Sequence, residues 1–181
     1  MNPNSTEGKK TVSAAVGATL TISAGYASAS LDKLAYWFLA GFGASLSLIL
    51  TNLNEISVFI QIKSIACSAY LFLWASVLCL AQRYVAMVIG CCVSSAKEGR
   101  ELGEKFGHMD VKEYITQMKA AIPCFLRPLS NDLLDKVENN DFAAVGQMLM
   151  RLSLFQGLIV SIEVIVLLSA LSKIVSGIQV M

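Results

Sequence analysis

Charge is missing from this chain in blocks about twenty residues long, and that constrains the fold more than any other feature. Residues 11–31 and 34–54 are each 21 uncharged residues in a row. Residues 64–82 add 19 more, and after Arg83 a further 13 uncharged residues run to position 96. Residues 152–172 form a last block of 21, broken only by Glu163. An α-helix needs about 20 apolar residues to cross the hydrocarbon of a bilayer. Charged residues make up 15% of the chain, against roughly 25% in soluble proteins, while hydrophobic residues make up 55%. Mean hydropathy is +0.62. These figures exclude a disordered chain and argue against an ordinary soluble domain. The expected fold is all-α: an integral membrane helical bundle of about three transmembrane helices with long cytoplasmic helical extensions.

Residues 34–54, 64–82 and 152–172 are the three strong spans. The polar run Thr51-Asn52-Leu53-Asn54-Glu55 begins the turn between the first two. Residues 1–33 read differently, because Ala, Gly, Ser and Thr dominate them. Lys9-Lys10, a mildly apolar middle and Ala27-Ser28-Ala29 imitate a signal peptide. Cleavage there would place the charged residues 97–151 outside, against the tendency of Lys and Arg to collect in cytoplasmic loops. A small-residue-rich cytoplasmic lead-in is therefore expected. A helix lying against the bundle or the membrane surface, or an extra span, is the alternative. Ser13, Gly17, Thr21, Gly25 and Ala29 recur every four residues, a smooth ridge if the segment is helical.

Topology follows from the basic residues. Lys9, Lys10 and Lys33 precede the first strong span, Lys63 alone lies in the first loop, and eight of the 14 Lys and Arg fall within 97–151. The expectation is a plasma or bacterial inner membrane protein with its N-terminus cytoplasmic and its C-terminus outside. The organisation expected is a lead-in over 1–33, a transmembrane hairpin over 34–96, a cytoplasmic helical segment over 97–151, and a third transmembrane helix with the C-terminus over 152–181. No Pro or Gly interrupts 64–89, and Lys97/Glu101 and Arg100/Glu104 pairs suit an exposed helix face. A second helix from 64 to 106 is therefore predicted to outrun the bilayer. Beyond it, Asp110 and Glu113 resemble a capping box. Val111, Ile115, Met118 and Ile122 mark an amphipathic helix ending near Pro123. A turn over 124–129, a short helix to Lys136 and a break at Asn139-Asn140 follow. Asp141 is placed to cap the last helix.

The net charge of +1 and the absence of a basic run leave no nucleic-acid footprint. The expected surroundings are the lipid bilayer and either a protein partner or further copies of the chain. No Walker loop, GxSxG, HExxH or dinucleotide fingerprint is present. One histidine, His108, and five scattered cysteines give no metal-site spacing, so neither metal nor cofactor is expected. Cys67 and Cys79 read as small buried hydrophobes.

Glu163 is the exception to the charge pattern. An acid midway along a span is costly, at about 2.5–3.5 kcal/mol on insertion scales, and is a functional hypothesis by default. Gln156 and Ala170 lie seven residues to either side, on one inward face. Gly41/Ser45 and Gly43/Ser47 give the first span small-residue surfaces for close packing. In an antiparallel hairpin pairing Trp37 with Arg83, the Trp74 ring would cover that patch and offer its N–H to Ser45 or Ser47. Trp37, Arg83 and Tyr84 are expected as anchors at the interface. The resulting function is a non-enzymatic membrane protein with an interaction, accessory or regulatory role. An oligomeric pore or small proton- or ion-coupled transporter using Glu163 is the alternative. An intramembrane enzyme would need a second catalytic residue at the depth of Glu163.

Overall fold

Burial along the long helices recurs in alternating steps of three and four residues. The computed structural model describes residues 4–105, 113, 116–117, 120, 135 and 141–178. Helix α1 is Asn4–Thr51, α2 is Leu53–Ile56, α3 is Ile62–Lys105 and α4 is Phe142–Ser176. On α3, Ile65, Ser68, Ala75, Cys79, Gln82 and Ile89 are buried, and half-buried Phe72 and Ala86 fill the gaps in the same rhythm. On α4 the rhythm runs through Leu149, Ser153, Gln156, Val160, Glu163, Leu167, Ala170 and Ile174. Such a seam belongs to helices that pack nearly along one another. The opposite faces are apolar too: Leu80 and Leu154 are 70% and 69% exposed. Apolar faces of that extent suit contact with lipid or with another protein. Three helical stretches, Thr11–Thr51, Ile62–Gly99 and Ala143–Ser176, are long and apolar enough to cross a membrane. The protein is an all-α helical bundle.

The first helix is longer than the expected span. Residues 11–31 are helical, as in the alternative of a helix lying against the bundle, and α1 runs unbroken through Asp32 and Lys33 into the first strong span. A charged pair marks a change of surroundings but carries no helix-breaking stereochemistry, unlike Pro or Gly. At 48 residues, or roughly 72 Å, α1 is more than twice the hydrocarbon thickness of about 30 Å. Helix α3, at 44 residues, matches the predicted long second helix, and Gly99 lies within it without ending it.

The chain divides into two compact units. One comprises Met1–Ala27 with Val88–Ser153. Here α1 and α4 approach at glycines. A Cβ built on Gly146 would lie 2.6 Å from the Gly17 carbonyl oxygen and 2.8 Å from Leu20 Cβ. Gly25, next on the ridge, faces Val93, whose methyls would lie 3.2 and 3.4 Å from an added Cβ. The Ser13 hydroxyl accepts the Ala143 backbone N–H at 3.3 Å. One of the orphan donors in the first turn of α4 is thus satisfied from α1, a source the proposed Asp141 cap does not anticipate.

The other unit comprises Ser28–Met87 with Leu154–Met181. Residue pairs Asp32–Gln82 and Gly43–Phe72 set α1 antiparallel to α3, and Ser28–Gln156 and Leu31–Gly157 set α1 parallel to α4. At the end of α1, the Thr51 hydroxyl and Asn52 amide donate to the carbonyls of Ser47 and Leu48 at 3.0 and 2.9 Å, so that Leu48 receives a side-chain donor as well as the Asn52 backbone N–H. The end of α4 is pinned there as well. Gln61 N–H donates to the Gly177 carbonyl at 3.0 Å, and Ile60 bridges Ile178. A Cβ on Gly177 would lie 2.5 Å from Ser64 Cβ, so only glycine lets this turn close.

The Asp110 cap, the stripe of Val111, Ile115, Met118 and Ile122, the turn over 124–129, the helix ending at Lys136, the Asn139-Asn140 break, His108 and Cys124 lie outside the described residues. The glycine contacts are testable. Gly146→Ala drives a methyl into backbone and should cost about 1–3 kcal/mol. Gly90→Ala meets nothing within 4 Å and should stabilise by about 0.5–1 kcal/mol. Thermal unfolding in mild detergent distinguishes the two; equal stability of both variants would contradict the close approach at Gly17.

Candidate functional site

The seam of α4 brings Gln156 and Glu163 to the interior of the Ser28–Met87 and Leu154–Met181 unit, both with no exposed surface. A buried primary amide needs partners at both ends, and the Gln156 N–H donors find acceptors on two other helices. Its Nε2 donates to Gln82 Oε1 at 2.9 Å and to the Ser28 carbonyl at 3.2 Å. Gln82, also fully buried, donates its own Nε2 to Asp32 Oδ1 at 3.0 Å. The same Asp32 oxygen lies 3.4 Å from Arg83 Nε, and the Arg83 guanidinium sits 5.3 Å from the centroid of the Tyr36 ring. The result is one polar run from the half-exposed Arg83–Asp32 pair to the core, with α1, α3 and α4 all contributing. Each interhelical side-chain bond of this kind averages about 0.6 kcal/mol in membrane proteins.

The run is incompletely satisfied. Gln156 Oε1, both carboxyl oxygens of Glu163 and Ser68 Oγ are buried without a hydrogen-bond partner. The Cys79 thiol lies within reach of the Glu163 carboxyl and the Gln82 side chain, yet neither Glu163 oxygen accepts a hydrogen bond. An ionised carboxylate with no donor in such surroundings would carry a desolvation cost far above that of the neutral acid. What the arrangement can do chemically is hold a proton on Glu163. Among the described residues no three His, Cys, Asp or Glu side chains converge to hold a metal.

The other residues singled out by sequence separate into distinct places. Arg83 lies at the end of the polar run rather than standing alone, while Trp37 and Tyr84 are exposed. The two small-residue pairs part company. Gly43 packs within the chain, where an added Cβ would lie 3.1 Å from Phe72 Cζ, and Phe72 stacks on Phe42 at 5.8 Å. Gly41 meets nothing within 4 Å, and Ser45 turns its hydroxyl back to the Gly41 carbonyl at 3.0 Å. Ser47 is exposed, its carbonyl engaged by Thr51. Trp74 does not cover this patch. It is half-exposed and meets the Tyr70 ring edge-on at 6.4 Å, because the observed pairings Asp32–Gln82 and Gly43–Phe72 shift the hairpin register by more than one turn from Trp37–Arg83. Phe72 occupies the place proposed for Trp74. Cys67 is exposed, whereas Cys79 is buried.

Gly41 and Ser45 instead line an apolar groove between α1 and α4, about 390 Å³ in volume, with Trp37, Phe38, Leu168 and Leu171 among its walls. Sequence reasoning missed Asp32, Gln82 and Ser28. The signal was present: Gln82 continues the alternating steps of three and four through Ala75 and Cys79, and Ser28 does so after Thr21 and Ala24.

A double-mutant cycle tests the polar run. Gln82→Leu and Gln156→Leu should couple by about 0.6 kcal/mol, and by no more than about 1.7 kcal/mol, in unfolding measured in detergent. Strict additivity would mean the two amides do not meet. Comparison with protein-family models, with curated proteins and with solved structures finds no match for this chain.

Proposed function

We propose that the protein is a non-enzymatic integral membrane protein whose role is to associate, within the bilayer, with a protein partner or with further copies of itself. The observation that carries this reading is the groove between α1 and α4. Small residues at Gly41 and Ser45 leave room beside Trp37 and Phe38, and the walls are almost wholly apolar. In lipid, close approach over small residues is what brings helices together. Gln82, Gln156 and Glu163 are turned inward instead, and the two amides tie the chain's own helices. A photo-crosslinking residue at Leu168, on the groove wall, should yield protein adducts in native membranes. Adducts with lipid alone would overturn the reading.

Parallel α1 and α4 with antiparallel α3 support three crossings, hence termini on opposite sides. With the surplus of Lys and Arg in 97–151, the N-terminus is assigned to the cytoplasm and the C-terminus to the outside. Accessibility labels at Asn54 and Leu102 should then react from opposite sides; labelling from one side would refute three crossings.

A second reading, an oligomeric pore or proton-coupled transporter, is favoured by one observation: the buried Glu163 carboxyl without a partner. Flux in liposomes separates the readings. Absence of flux is expected for the association role, and flux abolished by Glu163→Leu would replace it with the second.

A further inference from the structure

The surroundings of Glu163 are polar on one side and apolar on the other. Lys63 and Arg83 are 20 residues apart on α3, roughly 30 Å, which is the thickness of the hydrocarbon. Cys79, beside Glu163, lies four residues inside Arg83, roughly 6 Å by the same rise. The Gln82–Gln156 and Gln61–Gly177 pairings set the Glu163 backbone level with Ala75, roughly 12 Å inside Arg83, and its carboxyl reaches from there toward Cys79 and the Arg83 side. Between the carboxyl and that side stand Cys79, Gln82 and Gln156, then the half-exposed Asp32 and Arg83. Toward the opposite face, the seams present Ala75, Leu167, Ala170 and Phe72 before the isolated Ser68.

The titratable groups around the carboxyl are few. Helix α3 supplies Cys79 and, a turn further out, Arg83. Between Ser28 and Thr51, α1 supplies Asp32, Lys33 and Tyr36, of which Lys33 and Tyr36 are exposed. On α4 itself the nearest charged residues, Arg151 and Lys173, are exposed. None of these donates a hydrogen bond to Glu163, whose two oxygens are unpartnered. A carboxyl with no donor and no exposed surface must supply its own proton or carry an uncompensated charge in low dielectric.

We propose that Glu163, with Cys79 beside it, is a proton-binding site that is occupied in the resting protein and exchanges its proton only through the Asp32 side. Gln82, Gln156 and Cys79 line the exchange route, with Arg83–Asp32 at its mouth; Leu167, Ala170 and Phe72 close the other direction. The site requires neither ion conduction nor a partner, so it stands apart from the association role. Infrared spectroscopy of the full chain in phosphatidylcholine vesicles tests it. At neutral pH a carboxylic acid C=O band should be present and should vanish in Glu163→Gln. On transfer to deuterium oxide, exchange of that band should slow about tenfold in Cys79→Val and stay unchanged in Ser68→Ala. Cys79→Val is a near-isosteric swap; Gln82→Met, judged at unchanged helicity, should slow exchange in the same way. Absence of the acid band would overturn the occupied site. An intact band with unslowed exchange in both Cys79→Val and Gln82→Met, or equal slowing in Ser68→Ala, would overturn the one-sided route.

Discussion

The hydrogen bond between Gln156 and Gln82 is what the register of α1, α3 and α4 in the unit formed by Ser28–Met87 and Leu154–Met181 depends on. Between apolar helices in lipid, the hydrophobic effect supplies no preference for helix over acyl chain. A seam with a three-and-four rhythm is also nearly self-similar after a shift of seven residues. An apolar seam would therefore hold α3 and α4 at several offsets with similar energy. One pair of amides removes that degeneracy, since any other offset buries two primary amides against methyl groups, at about 1–3 kcal/mol for each unsatisfied polar group. The Ser28 carbonyl and Asp32 extend the same constraint to α1.

Glycine does the complementary work in the unit formed by Met1–Ala27 and Val88–Ser153. Where α1 and α4 meet at Gly17 and Gly146, the distance from one backbone to the other leaves no room for a side chain. Specificity there comes from shape, with van der Waals contact between backbones replacing amide pairing. The two units use the two means available to helices in lipid, small residues and buried polar groups, and α1 and α4 carry both along their length.

The all-α class, the three apolar stretches, the long second helix and the last helix from residue 142 were all legible in the charge pattern, because lipid leaves few ways to arrange 20 apolar residues. The continuity of α1 was not. Asp32-Lys33 resembles the end of a span when only charge is counted, and its partners Gln82 and Arg83 lie 50 residues away on another helix. Glu163 and Gln156 stood out because a polar residue inside an apolar run is conspicuous. Gln82 did not, since it sits beside Arg83 and reads as the start of the polar edge. The displacement of Trp74 by Phe72 has a similar origin. Pairing Trp37 with Arg83 is reasonable for an interface, but side-chain length lets Arg83 reach back to Asp32 and Tyr36, and the hairpin register follows Asp32.

Ser13 and Ala143 are separated by 130 positions along the chain, yet the first turn of α4 is completed by the Ser13 hydroxyl. During synthesis α4 is the last of these helices to emerge, and its first turn meets a cap already in place on α1. The turn of α1 around Ser13 is thus a template against which α4 starts its helix. A change at Ser13 would make itself felt 130 positions further on, at a helix that has yet to form when Ser13 is placed.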